Sequence, residues 1–196
     1  MSIALPTDIA PDAARPYLID FGGDLTPALG GAVQRLDRLG SRWGLEVTMP
    51  VLDVDEARIW VARLVQAKRS SALFPWPQPG VVGAEGAPRV NGAGQSGTSL
   101  AIDGLPAAKG VKEGWFFSII HNGRRYIHQI ASDATASAGG AVTLSIEPML
   151  RIRPADNAVI ELAAPMIEGM VQGGDLGWSI ELATSVGLSF TLVERE

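Results

Sequence analysis

Glycine and proline break this chain so often that no long regular element can dominate it. The 196 residues hold 23 glycines and 13 prolines. Their spacing follows no strict period, and turn residues at that density suit many short strands joined by tight turns. Hydrophobic residues make up 46% of the chain, enough to bury a core, while charged residues reach only 19%, against the ~25% of ordinary soluble domains. A surface so poor in charge is expected to be partly covered by partners. The length suits one large domain or two small ones.

Charge and composition exclude several function classes. The net charge is −5, and the longest basic runs are the pairs Lys68-Arg69 and Arg124-Arg125. A protein that grips nucleic acid needs a cationic excess to neutralise phosphates, and none is present. Cysteine is absent, which removes disulfides, thiolate nucleophiles and cysteine-based metal sites. The opening MSIALPTDIAPDAARP has neither a basic start nor a long apolar run, so no signal peptide is expected. No apolar stretch approaches the ~18 residues that span a bilayer. The expected location before assembly is a cytoplasm.

Local patterning supplies the elements. Tyr17–Phe21 reads as a short strand, and Val33–Leu39 leans to strand although its alternation is only approximate. In Trp43–Met49 the residues Trp43, Leu45, Val47 and Met49 share one face. The one clear helix follows: Asp53 is a good N-cap, and Glu56 completes a capping-box spacing. Ala57, Trp60, Val61, Leu64 and Val65 then form a helical stripe that should pack on a sheet. Lys68 and Arg69 fall where the helix dipole favours cations. Beyond it, PWPQPG ends the apolar segment Ala72–Phe74, since proline removes ladder donors. A Gly-rich stretch from Val81 to Gly97 places a boundary near residue 84. Next comes a strand meander: Thr98–Asp103, Trp115–His121, Arg124–Ile130, Ala141–Ile146 and Ala158–Leu162. Asn122-Gly123 is a strong hairpin signal within it. These strands suit a small OB-like barrel. Two further strands, Trp178–Leu182 and Leu188–Val193, exceed what that barrel needs and should return to the first domain.

Each chemical motif has a blander reading that fits better. Gly92-Ala93-Gly94-Gln95-Ser96-Gly97 spells G-x-G-x-x-G, but no strand precedes it and Gly104-Leu105-Pro106 leaves no room for the helix a dinucleotide needs. Thr98 stands where a P-loop requires lysine, and Gly94–Gly97 misses the spacing of a hydrolase elbow. His121 and His128 are the only histidines; hairpin register sets them ~10 Å apart, too far to share a metal. Asp53, Asp55 and Glu56 are explained by helix capping. Of the tryptophans, 43, 60, 115 and 178 fall on core patterns, and Trp76 is expected at an exposed or interface position. No catalytic, cofactor-binding or metal-binding residue is therefore assigned.

The order of segments carries a resemblance. SRWGLEVTMP, the acid-capped helix DVDEARIWVARLVQAKRSSALFPWPQPG and the crossing VNGAGQSGTSL are followed by GVKEGWFFSIIHNGRRYIHQI, AVTLSIEPMLRIRP and MVQGGDLGWSIELATSVGLSFTLVERE. Over about residues 40–196 this resembles the tail proteins of long-tailed, non-contractile phages and prophages, in particular the distal tail protein type. The resemblance implies a mainly β chain in two parts. Residues 1–84 with 165–196 would form a tail-tube-like β-sandwich with one flanking helix, and residues 85–164 an inserted OB-like barrel. It further implies a homo-oligomeric ring, usually a hexamer, that joins the tail tube protein to the tip or baseplate hub in the virion. DNA would cross the ring without specific binding, and the family implies no catalysis. The alternative is a small-ligand or carbohydrate-binding barrel, with Phe117, Tyr126 and His128 as its surface. The inserted barrel, with a ladder of its own, is expected to need little from the first domain.

Overall fold

The computed structural model of the chain describes residues 2–81, 85–180 and 185–195. The chain is mainly β with one helix. In order the elements are β1 (Ile3–Ala4), β2 (Ala13–Ile19), β3 (Gly23–Leu25), β4 (Gln34–Leu36), β5 (Arg42–Thr48), β6 (Leu52–Asp53), α1 (Val54–Ala67), β7 (Ala72–Pro75), β8 (Arg89–Val90) and β9 (Gly97–Asp103). They continue with β10 (Gly110–Val111), β11 (Phe116–His121), β12 (Arg124–Ile130), β13 (Ala134–Thr135), β14 (Val142–Leu150), β15 (Ile160–Glu161), β16 (Met166–Val171), β17 (Trp178–Ile180) and β18 (Ser185–Glu194).

The first sheet runs β1-β7-β16-β18-β5-β2, with β6 and β17 pairing the first residues of β18. The C-terminal strand β18 is thus central: it pairs β16 at Leu192–Glu194 and β5 at Ser189–Val193. Trp43, Leu45, Val47 and Met49 are all buried, as their alternation requires. Gly44 sits between them under the Tyr17 ring, where any Cβ would collide with that ring. Helix α1 opens on the expected capping box: the Asp53 side chain accepts from the Asp55 and Glu56 N–H groups, and the Glu56 carboxylate accepts from the Asp53 N–H. Its buried face is Ala57, Trp60, Leu64 and Ala67. Val61 is half-buried and Val65 exposed, so the stripe lies slightly round the helix from the expected one. Trp60 packs against Phe74 and Phe190 with ring centroids 6.1 and 5.9 Å away.

The second sheet runs β15-β11-β12-β14-β9-β8. A bridge between Arg89 and Val159, with Val90 N–H donating to Ala158 O, brings its ends together, so the sheet is a nearly closed six-stranded barrel. The β11–β12 hairpin has the expected register, Phe117 opposite His128 and His121 opposite Arg124. Asn122 and Gly123 both adopt positive φ (51° and 73°), the geometry a two-residue hairpin turn needs. Phe117, Ile119, Leu100, Ile102, Leu144 and Ile146 fill the interior.

Four expectations change. The barrel is not independent of the first sheet. Ile127, on the outer face of β12, belongs to the first core, and Phe116 of β11 packs on Trp43 and Trp76 at 5.0 and 5.1 Å. Trp76 is accordingly buried at an internal seam. Trp178, expected in a core, is exposed. The Val33–Leu39 strand shrinks to Gln34–Leu36, paired with β3 in an exposed ribbon. The boundary near residue 84 and the end of the Trp178–Leu182 strand lie outside the described residues.

Candidate functional site

The Gly92–Gly97 loop is tied down by its own neighbours. Gly92 N–H donates to Asp156 Oδ1 (2.8 Å), and Gly94 N–H donates to Pro154 O (3.4 Å). Gln95 Nε2 donates to the carbonyls of Asn91, Gly92 and Ala101, while its Oε1 accepts from Ala101 N–H. β9 begins at Gly97, so no helix follows the glycines. The loop is a structured turn whose Gly92 donor is already held by a carboxylate. The residues weighed as a ligand surface, Phe117, Tyr126 and His128, are all buried. Phe117 and His128 face each other inside the barrel at 5.9 Å. His121 sits at the hairpin end, where its Nδ1 accepts from Ala155 N–H (3.3 Å). Among the described residues no three His, Asp or Glu side chains are grouped to hold a metal.

Charged side chains that the sequence did not single out stitch the seam between sheet and barrel. Two N–H groups of β12 point away from β11, and carboxylates from the first sheet accept both. Arg125 N–H donates to Glu168 Oε2 (3.2 Å) and Ile127 N–H to Glu194 Oε1 (2.7 Å). Glu194 also accepts from Trp43 N–H (2.8 Å), and Ser71 Oγ donates to Glu168 (3.1 Å). Arg151 Nη2 lies 2.7 Å from Glu194 Oε1, with both side chains almost wholly buried. Arg125 forms a two-pronged pair with Glu161. Ser118 Oγ donates to Glu161 and accepts from Met166 N–H. The edge of β12 is thereby paired with side chains where β14 diverges from it. Burial pushes the Glu194 carboxyl upward, opposed by Arg151 and by the Ile127 and Trp43 N–H groups. Burial also pushes His128 down to about 4, against the bond its Nδ1 makes with Pro148 O and with help from the nearby Arg151 charge.

The exposed surface carries two apolar features. From Asp24 to Leu39 every residue is exposed, and Leu25, Leu29, Val33, Leu36 and Leu39 present large apolar groups there, Leu29 being 100% exposed. Among the described residues this arm is ordered by the three-residue β3–β4 ladder, a Gly30 N–H to Pro27 O turn bond, and a charge cluster in which Arg35 pairs Asp20, Asp24 and Asp37. A two-stranded ribbon alone is marginal in water. The second feature is a cleft of about 390 Å³ between α1 and β17, lined by Val54, Ala57, Val61, Trp178, Ile180 and Val186 with Arg58 at its rim. Ile180 there is 74% exposed. Neither feature stood out in the sequence. Leu25 and Leu29 stand in a Gly- and Pro-rich loop, Val33–Leu39 alternates only approximately, and Trp178 reads like a core residue.

No family model matches this chain, and no curated protein matches it at a significant level.

Proposed function

We propose that the chain is a structural subunit of a phage tail, forming a ring at the distal end of the tail tube and joining the tube to the tip or baseplate hub. The observation that carries this reading is the ribbon. An arm with five large apolar side chains in water marks a surface that a partner covers, and it is out of place on a protein that works alone. The order of segments that resembles distal tail proteins supplies the kind of assembly. The net charge of −5 suits a channel that DNA crosses without sticking. In this reading the chain has no catalytic residue, cofactor or metal, and its partners are further copies of itself, the tube protein and the hub.

Light scattering with negative-stain imaging of the purified protein tests it. The expected result is a particle of several protomers around an open channel. A monomer across the micromolar range would overturn the reading.

A further inference from the structure

We infer that Asn122, at the tip of the β11–β12 hairpin, is a self-modification site that converts to isoaspartate with help from His121. The chain's second Asn-Gly pair, Asn91-Gly92, is kept unreactive by its loop. The inference is independent of the assembly reading.

The chemistry needs only water. The backbone nitrogen of the glycine gives its proton to solvent and attacks Cγ of the asparagine. The Cγ–Nδ2 bond breaks, and Nδ2 takes up a proton and leaves as ammonia. Water then opens the cyclic imide at either carbonyl, giving aspartate or isoaspartate. The nitrogen must be free to turn, and a donor should meet the charge that grows on Oδ1. The hairpin tip satisfies both conditions. Asn122 and Gly123 are exposed, and the ladder ends at the His121–Arg124 pair, which leaves the Gly123 N–H outside it. Swinging Asn122 out of its positive-φ turn disturbs at most that last pair.

His121 supplies the donor. Ala155 N–H donates to its Nδ1 (3.3 Å), so in the neutral ring the proton sits on Nε2. Nε2 lies 3.0 Å from Asn122 Nδ2. Two donors cannot bond, and a half-turn of the planar amide brings Oδ1 to Nε2–H instead. That bond strengthens as Oδ1 gains charge, so it favours the attack over the resting amide. Asn91-Gly92 is also exposed but is framed differently. Gly92 N–H donates to Asp156 Oδ1 (2.8 Å), Asn91 N–H donates to Ala101 O, and Gln95 Nε2 donates to the carbonyls of both residues. Turning the Gly92 nitrogen toward Asn91 Cγ breaks this frame. Conversion at 122 adds a methylene to the backbone of a two-residue turn. The next pair inward carries Arg125, whose N–H and guanidinium hold Glu168 and Glu161, so the change reaches the seam.

The full chain is aged in mildly alkaline buffer, and peptide mapping by mass spectrometry follows both sites. Isoaspartate should form at 122 roughly tenfold faster than at 91, with the Asn91 rate as an internal clock. In concentrated urea the two rates should converge, since the difference lies in the fold. His121→Phe should slow conversion at 122 by roughly threefold or more, and His121→Gln, which keeps an N–H donor, should restore part of it. The aged fraction bearing isoaspartate should melt below the unconverted fraction. Conversion at 91 that matches or outpaces 122 in the folded chain overturns the inference, as does a difference that survives in urea. An unchanged rate in His121→Phe overturns the part given to the histidine, and an unchanged melting temperature overturns the link to the seam.

Discussion

The seam and the ribbon invert one another. Inside the molecule, where apolar packing is the usual filling, Glu194 and Arg151 meet with side chains 0% and 7% exposed. On the outside, where polar groups are usual, leucines stand in water along the ribbon. The difference lies in completeness. The backbone N–H groups that the seam strands present at Arg125, Ile127 and Trp43 each find a carboxylate within the same chain, although the indole N–H groups of Trp43 and Trp76 stay without a hydrogen-bond partner there. The ribbon's apolar groups find no such cover in one copy. The first region is finished by folding, and in our reading the second is finished by assembly.

The largest expected effect breaks the finished side. β18 is the central strand of the first sheet and also carries Glu194. Truncation after residue 177 should abolish cooperative melting, because it removes β17 together with β18, the pairing partner of β5, β6 and β16. A truncated chain that melts with the full cooperativity of the whole one would contradict the account.

Glu194→Ala is the next largest. It leaves Arg151 buried beside no carboxylate and strands the Ile127 and Trp43 N–H groups. Breaking a buried pair from one side typically costs ~3–5 kcal/mol. Chemical denaturation measures it; a loss below about 1 kcal/mol would mean that water replaces the carboxylate and the seam is wetter than described.

His128 sharpens the picture through pH. Its native pKa of about 4 lies below the unfolded 6.5. Between those values the unfolded chain binds a proton that the native chain refuses. Stability should therefore fall as pH drops from 6.5 to 4, by up to about 3 kcal/mol, and the histidine contributes no further loss below that. Glu194 acts in the opposite sense, since its raised pKa favours the native state as pH falls. The slope should thus be compared between wild type and His128→Asn, which removes the histidine part alone. Identical slopes would show that His128 protonates freely in the native protein.

How much of this was legible in the sequence follows from what each strand buries. Trp43–Met49 buries one face, so its alternation was plain. The β11–β12 register followed from Asn122-Gly123, which only positive φ can satisfy in a two-residue turn. β16 gave no signal, because Ile167, Glu168 and Gly169 are all buried and the strand contacts neighbours on both faces. A glutamate in that run reads as surface until its partners, Ser71 and the Arg125 N–H, are known. The seam was hidden for the same reason: Arg125, Arg151, Glu161, Glu168 and Glu194 are far apart in sequence, and charge alone suggests solvent. The exposed apolar surfaces were hidden by the converse, since an exposed leucine looks like a core leucine until the fold leaves it outside.

The smallest expected effect on stability carries the largest on assembly. Ile19 and Arg42 are cross-strand partners at the ribbon base, so residues 24–39 can be replaced by a short Gly-Ser turn without moving either strand. Sedimentation of this variant beside the wild type, with melting curves for both, tests the central claim directly. The account predicts a wild type of several protomers and a variant that sediments as a single chain with an unchanged melting temperature. A variant that keeps the wild-type mass would contradict it, and so would a wild type that was never more than one chain.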